Sequence, residues 1–220
     1  MEITAHIANL GKYTSGILTD AVLSFPATKE QVRAALQSIG VDGLRYEEIM
    51  LCDCYSSIPG LAGKIGEYAS IDEVNYLANQ VQALSPVERN MFAAAIQHGE
   101  YCDSLQDLIN LTFQLDAYTL LPGIASYEAY GRYLVQEMQS ITLPPEAIDY
   151  FDYAAYGEDT AINENGMLTA QGYITHDGTP FREVYDGKHI PAEYRIFQYP
   201  MEVKAKEHRA MAHQPNSPTR

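Results

Sequence analysis

The side chains best able to do chemistry in this chain are carboxylates. Glu100, Asp103 and Asp107 run at i, i+3, i+7, and Glu146, Asp149 and Asp152 at i, i+3, i+6. On a helix, residues three or four apart have Cβ atoms roughly 5–6 Å apart. Duplex DNA presents about one phosphate per 3.4 Å of rise on each strand. A helical row of carboxylates therefore imitates a row of phosphates, and the chemistry on offer is attraction to a surface lined with Lys and Arg. Like charges at i, i+4 destabilise a helix by roughly 0.2–0.5 kcal/mol each, so such a face either serves a cationic partner or is a solvated surface on which the cost does not matter.

Other chemistry is sparse. Gly60-x-x-Gly63-Lys64 has two intervening residues where a phosphate loop has four, and Ile65 stands where Ser or Thr would hold magnesium. Cys52 and Cys54 alternate on a predicted strand and share a face, but no second Cys/His pair completes a zinc site, so buried thiols explain them better. His98, Glu100 and Cys102 gather around a predicted helix end without a fourth ligand, and His208 and His213 have no local partners. A hydrolase built on two carboxylates is compatible with the composition. There is no serine elbow, dinucleotide-binding glycine turn or His-Glu-x-x-His. Catalysis therefore has no positive evidence in these residues, and no metal site is expected.

The charge is unevenly spread. The 220 residues carry 14 Lys+Arg against 29 Asp+Glu, a formal net of −15, which repels phosphate backbones and disfavours direct nucleic-acid binding. Residues 1–45 are neutral and 165–220 have a net of +1, whereas 46–164 hold nineteen acids and only Lys64, Arg89 and Arg132 as bases. No base lies between Arg89 and Arg132 to answer Glu100, Asp103, Asp107, Asp116 and Glu128. Apolar runs are far shorter than the ~20 residues of a membrane span, and Met1 opens no signal sequence, so a cytoplasmic protein with thiols is expected. Seventeen tyrosines and no tryptophan are unusual; Tyr127, Tyr130 and Tyr133, then Tyr150, Tyr153 and Tyr156, recur at threes, a spacing suited to packing in a core or a dimer.

These residues need positioning elements. Alternation over 3–9, a Gly11 to Gly16 turn and an apolar run to Phe25 predict a hairpin; Thr28 and Gln31 form a capping box for a helix over 28–39 stopped by Gly40; Tyr46 to Tyr55 predicts a third strand. Breakers at Pro59, Gly60, Gly63 and Gly66 predict a boundary, followed by helices starting at Ser70, Ser85 and Ser104. Further on come a strand within 113–124, a helix from Ser126 to Gln139, another opened by Pro144-Pro145 and ended by Gly157, and β-prone segments at Met167, Tyr173 and Phe181 to Tyr185. The fold class expected is α+β in three successive domains: a small α/β domain over 1–56, a helical module over 57–112 and an α+β domain over 113–185. A basic arm over 186–220 follows, with one helix near 201–212 and a disordered end.

Three signatures carry a resemblance: Ile7-Ala8-Asn9-Leu10-Gly11-Lys12-Tyr13, Ser70-Ile71-Asp72-Glu73-Val74-Asn75-Tyr76-Leu77 and Tyr150-Phe151-Asp152-Tyr153-Ala154-Ala155-Tyr156-Gly157, with Gly131-Arg132-Tyr133 between the last two. In order and spacing they resemble the ArdA-type antirestriction proteins over residues 3–185. That resemblance implies an elongated three-domain mimic of bent B-form DNA, carried on plasmids and conjugative transposons. It implies a homodimer joined through the C-terminal domain, which occupies the DNA-binding groove of type I restriction-modification enzymes, without cofactor or catalysis. Two features depart from the family pattern: Glu158 stands where a basic residue is expected, and the basic arm after Tyr185 lies outside it. Two chains carry the charge of only ~50 Å of bare duplex at one charge per ~1.7 Å, so inhibition weaker than that of more acidic relatives is expected.

The residues expected to meet the methyltransferase core of such an enzyme are Glu100, Asp103, Asp107, Asp116, Glu128, Glu146, Asp149, Asp152, Glu158 and Asp159. Two other readings stay open: a regulatory or scaffold protein of a mobile element that binds another basic protein, and an enzyme using buried carboxylates.

Overall fold

The computed structural model of the chain describes residues 3–200. Contacts divide the described residues into two units, residues 3–57 with 65–82 and 189–200, and residues 58–64 with 83–188. Both mix helices with a small antiparallel sheet, so the α+β class holds.

In the first unit β1 (Ile3–Asn9) is central. Ile3, Ala5 and Ile7 turn inward, and the strand pairs antiparallel with β2 (Asp20–Phe25) in the expected hairpin. The turn between them holds a four-residue helix, α1 (Leu10–Tyr13), capped by Asn9, whose side chain accepts from the Lys12 amide at 3.0 Å. Helix α2 (Lys29–Ile39) starts at the Thr28–Gln31 capping box, ends at left-handed Gly40 and buries Val32, Leu36 and Ile39.

The third strand, β3 (Ile49–Ser56), starts later than expected because Asp42 Oδ1 accepts from the amides of Leu44, Arg45 and Tyr46 and holds them in a loop. It lies on the other side of β1. A bulge between His6 and Ile7 leaves Cys52 without a cross-strand partner. That breaks the alternation expected to place both thiols together: Cys52 is exposed, Cys54 half-buried and only Cys102 buried.

Helix α3 (Ile71–Ala83) buries Ile71, Val74, Leu77, Ala78 and Val81 in the same unit. The stretch after Pro191, expected as part of an appended arm, instead folds back on α3. Asp72 Oδ1 accepts from the Ile196 and Phe197 amides at 2.7 and 2.6 Å, Asn75 Nδ2 donates to the Tyr194 carbonyl at 3.0 Å, and the Tyr194 ring stacks on Tyr76. The helix expected near 201–212, His208 and His213 lie outside the described residues.

The second unit contains α4 (Pro86–His98), opened by the Ser85–Glu88 box and ended by left-handed Gly99, and α5 (Leu105–Leu111), opened by Ser104 and Asp107. The expected helical module is thus divided, α3 from α4 and α5. Next come β4 (Tyr118–Leu121) and α6 (Tyr127–Gln136). The helix expected from Pro144 to Gly157 does not form as one piece. Pro145–Tyr150 makes 3₁₀ turns, Phe151 is extended, and α7 (Tyr153–Asn163) begins at the Asp152 cap and runs through Gly157.

Gly157 is no terminator: a Cβ there would lie 2.0 Å from the Tyr127 carbonyl, and one on Gly131 would lie 1.9 Å from the Tyr153 carbonyl. The two glycines let α6 and α7 cross backbone against backbone. α7 ends where Asn165 turns left-handed and the Gly166 amide reaches back to Ala161. β5 (Met167–Thr169) and β6 (Gly172–His176) complete a sheet of order β4-β6-β5.

Residues 181–185 form no strand, because two side-chain amides replace the strand partner. Asn110 accepts from the Val184 and Tyr185 amides and donates to the Tyr185 carbonyl, while Gln114 both donates to and accepts from Arg182 backbone atoms. Stranding a buried backbone group costs about 1–3 kcal/mol. Asn110→Ala is therefore expected to lower unfolding free energy by about 2–5 kcal/mol, read as a lower urea midpoint. Among the described residues no helix is long and apolar enough to cross a membrane.

Candidate acidic interface

All ten carboxylates singled out above fall in the second unit, in three kinds of setting. Glu100 and Asp107 are committed to local structure. Gly99 ends α4 and Tyr101 has φ 52, so the chain turns between them and the expected row Glu100, Asp103, Asp107 is not on one helix. Glu100 Oε1 accepts from Asn165 Nδ2 at 2.8 Å, and its Oε2 lies 4.0 Å from His98 Nδ1 and 3.9 Å from His176 Nδ1. Asp107 Oδ2 accepts from the Ser104 amide and hydroxyl at 3.0 and 2.7 Å.

Asp103 and Glu128 have cationic neighbours but stay open to solvent. The Asp103 side chain is 90% exposed, and its 3.7 Å contact with Lys64 is worth little in water. Glu128 takes two hydrogen bonds from Arg132, at 2.9 and 3.2 Å, one turn along α6. The same guanidinium lies over the Tyr153 ring, 4.5 Å from its centroid, and so links the two helices.

Asp116, Glu146, Asp149, Asp152, Glu158 and Asp159 are exposed, and no ion pair among the described residues neutralises them. Glu146 and Asp149 lie on the 3₁₀ turns, where three residues per turn keep i and i+3 on one edge. Asp152 lies past the break, its side chain accepting from the Ala155 amide at 3.0 Å as the cap of α7. The expected run of 146, 149 and 152 on one α-helix is thus replaced by a pair and a cap. Asp152 and Asp159 are two turns apart along α7, about 10 Å of rise, on the same side of the helix. From Tyr133 to Phe181 the sequence has eight acids and no Lys or Arg.

The tyrosines brace this surface from beneath. Tyr130 and Tyr173 stack with ring centroids 3.8 Å apart, and both hydroxyls donate to Glu164, which the sequence did not single out. Burial, and then the carboxylate beside each hydroxyl, push both phenols well above the ordinary tyrosine range. With Ala161 they form the buried cluster that seats α6 and α7 on β6. Tyr153 is buried too, whereas Tyr150, expected on the same helix, is 90% exposed on the turn before it. His176 likewise joins His98 and Glu100 only through β6, 76 residues after Glu100 in the chain.

Among the described residues no group of three or more His, Cys, Asp or Glu is arranged to hold a metal ion. The arrangement offers stationary negative charge on a rigid support. A family model described as antirestriction protein (ArdA) matches residues 5–175, a span that contains all three signatures and all ten carboxylates. No curated protein matches the chain.

Proposed function

The chain belongs to the ArdA family of antirestriction proteins, and from that premise we propose that it acts as a mimic of B-form DNA that competitively occupies the DNA-binding groove of a type I restriction-modification enzyme. The observation that carries this reading is the uncompensated acid from Tyr133 to Phe181. Glu146, Asp149, Asp152, Glu158 and Asp159 stand exposed there, and no base in that stretch answers them.

Such a surface costs little to present, because carboxylates on turns and on the outer side of α7 keep their hydration until a partner displaces it. A groove lined with Lys and Arg is the complementary partner, and charge complementarity accelerates encounter. Occlusion of that groove is the mechanism, and no bond is made or broken. Two copies paired through residues 113–185 would double the charged length, and sedimentation at working concentration tests that pairing.

The direct experiment titrates the protein into a type I methyltransferase bound to labelled DNA. Displacement is expected, with affinity falling at least tenfold between 50 and 500 mM salt as the Debye length contracts from above 10 Å to below 5 Å. Affinity that stays flat across that range removes the electrostatic basis of the reading. A pull-down that recovers a different basic protein and no restriction or modification subunit would favour the scaffold alternative.

A further inference from the structure

Between the end of α6 and the start of α7 the chain makes a groove. Gln139, with φ 51, reverses the chain after α6, and the Tyr156 hydroxyl donates to Ser140 Oγ at 3.0 Å, which ties the returning stretch to α7. The groove so formed holds about 430 Å³, within the roughly 300–1,000 Å³ of pockets that bury most of a ligand. Val135, Ile141, Leu143, Ile148 and Tyr153 supply its apolar wall, and no residue lining it is charged. Ile148 is 42% exposed, so the wall is open to water.

The charge stands beside the groove rather than in it. On the 3₁₀ turns residues three apart share an edge, which puts Ile148 on one edge and the exposed Glu146 and Asp149 on the next. Glu137, the residue after α6 ends, is exposed as well. Arg132, whose guanidinium lies over the Tyr153 ring, is already bonded to Glu128, and the stretch from Tyr133 to Phe181 supplies no base.

We infer that this groove is a docking site for a cationic amphipathic helix of a protein partner, which seats apolar side chains against Ile141, Leu143 and Ile148 and sets Lys or Arg beside Glu146 and Asp149. An amphipathic helix laid in an apolar groove is a recurring mode of recognition, and here charge complementarity selects which helices fit. A helix with acids beside its apolar face meets like charge, which costs affinity. A nucleic acid brings phosphates to the same rim. A second copy is disfavoured on the same ground: two-fold pairing presents one patch to itself, so it would set Glu146 and Asp149 against their own counterparts. Copies that pair within residues 113–185 therefore meet elsewhere.

That the helix belongs to the restriction-modification enzyme rests on the proposed function; the preference of the groove stands without it. On that reading the groove adds to phosphate mimicry a contact that salt does not screen.

The test needs no restriction enzyme. The full-length protein is titrated, by amide NMR, with a lysine-rich peptide bearing leucines at i, i+3, i+4 and i+7. Two further peptides are compared with it: a twin of equal charge with glutamine, of similar helix propensity, for each leucine, and a leucine peptide whose lysines are glutamates. The leucine–lysine peptide is expected to shift amides of residues 135–153 and to bind at least about tenfold tighter than its glutamine twin, as burial of one leucine side chain allows. Salt weakens both lysine peptides but leaves that ratio in place, because screening acts on charge alone. Ile148→Glu, at an exposed position, brings the ratio close to one without weakening the glutamine twin, and Ile141→Thr lowers it should Ile148→Glu fail to fold. Equal affinity for the two lysine peptides, or binding of the glutamate peptide to the same residues, overturns the proposal. So does loss of self-association in Ile148→Glu by sedimentation, which would make the groove a contact between copies. A shift of the 201–220 amides in that variant without peptide would make the chain's own arm the occupant and overturn it too.

Discussion

Gly157→Ala is expected to cost about 3–5 kcal/mol of unfolding free energy, a loss out of proportion to one methyl group. The added Cβ would stand 2.0 Å from the Tyr127 carbonyl and 2.8 Å from the Gly131 amide nitrogen, and both are backbone atoms that no rotamer change can move aside. Relief requires α6 and α7 to part by more than an ångström, which opens the Tyr130, Ala161 and Tyr173 cluster beneath them. Overpacking of a tight core typically costs 1–3 kcal/mol and more when backbones must separate, whereas the helix-propensity gain of alanine over glycine returns only about 1 kcal/mol.

Gly131→Ala makes the reciprocal clash with the Tyr153 carbonyl at 1.9 Å. Once one substitution has parted the helices the second costs less, so the double variant should fall well short of the sum of the singles. Gly63→Ala, whose Cβ meets nothing within 4 Å, is the control and should stay within about 0.5 kcal/mol. Urea unfolding of the four variants decides the matter: a Gly157→Ala loss below about 1 kcal/mol would mean that the helices do not cross at these glycines.

That crossing shows where reading the sequence stops. A glycine after Tyr156 has the appearance of a helix end, since local rules treat glycine as a break; its actual use, close approach to Gly131, depends on a partner 26 residues away. Features governed by short-range chemistry were legible: the capping boxes at Thr28, Ser85 and Ser104, the left-handed stops at Gly40 and Gly99, and the hairpin of β1 and β2. Features that depend on what packs against what were not. The backbone of 181–185 looks β-prone, but Asn110 and Gln114 claim its hydrogen bonds. The stretch after Pro191 looks like a tail until Asp72 and Asn75 are seen to hold it.

The candidate surface divides the same way. Which residues carry charge, and the excess of acid over base in the central stretch, were plain from composition. Which carboxylates are free was not, because Glu100 is engaged by residues 65 and 76 positions away, and Asp107 by the cap it forms with Ser104. Glu164 went unnoticed for the converse reason, a carboxylate among many until Tyr130 and Tyr173 close on it.

The division between free and committed carboxylates gives the functional prediction with the largest effect. Neutralising Glu146, Asp149, Glu158 and Asp159 together, as Glu146→Gln, Asp149→Asn, Glu158→Gln and Asp159→Asn, removes four exposed charges that no described base balances. Exposed ion pairs contribute up to about 1 kcal/mol each, and charges that lose water at an interface contribute more. The inhibition constant against a type I methyltransferase at 50 mM salt is therefore expected to rise by about 30-fold to 1,000-fold. At 500 mM salt screening has already weakened the attraction in the unmodified protein, so the ratio should shrink toward unity.

Stability should hold or rise slightly, since none of the four caps a helix and relief of like charge on α7 is favourable. Asp107→Ala supplies the contrast: losing its capping box with Ser104 should cost about 1 kcal/mol of stability while inhibition changes little. If the fourfold variant inhibits as well as the parent at low salt, these carboxylates serve only solubility, and the partner must recognise another surface.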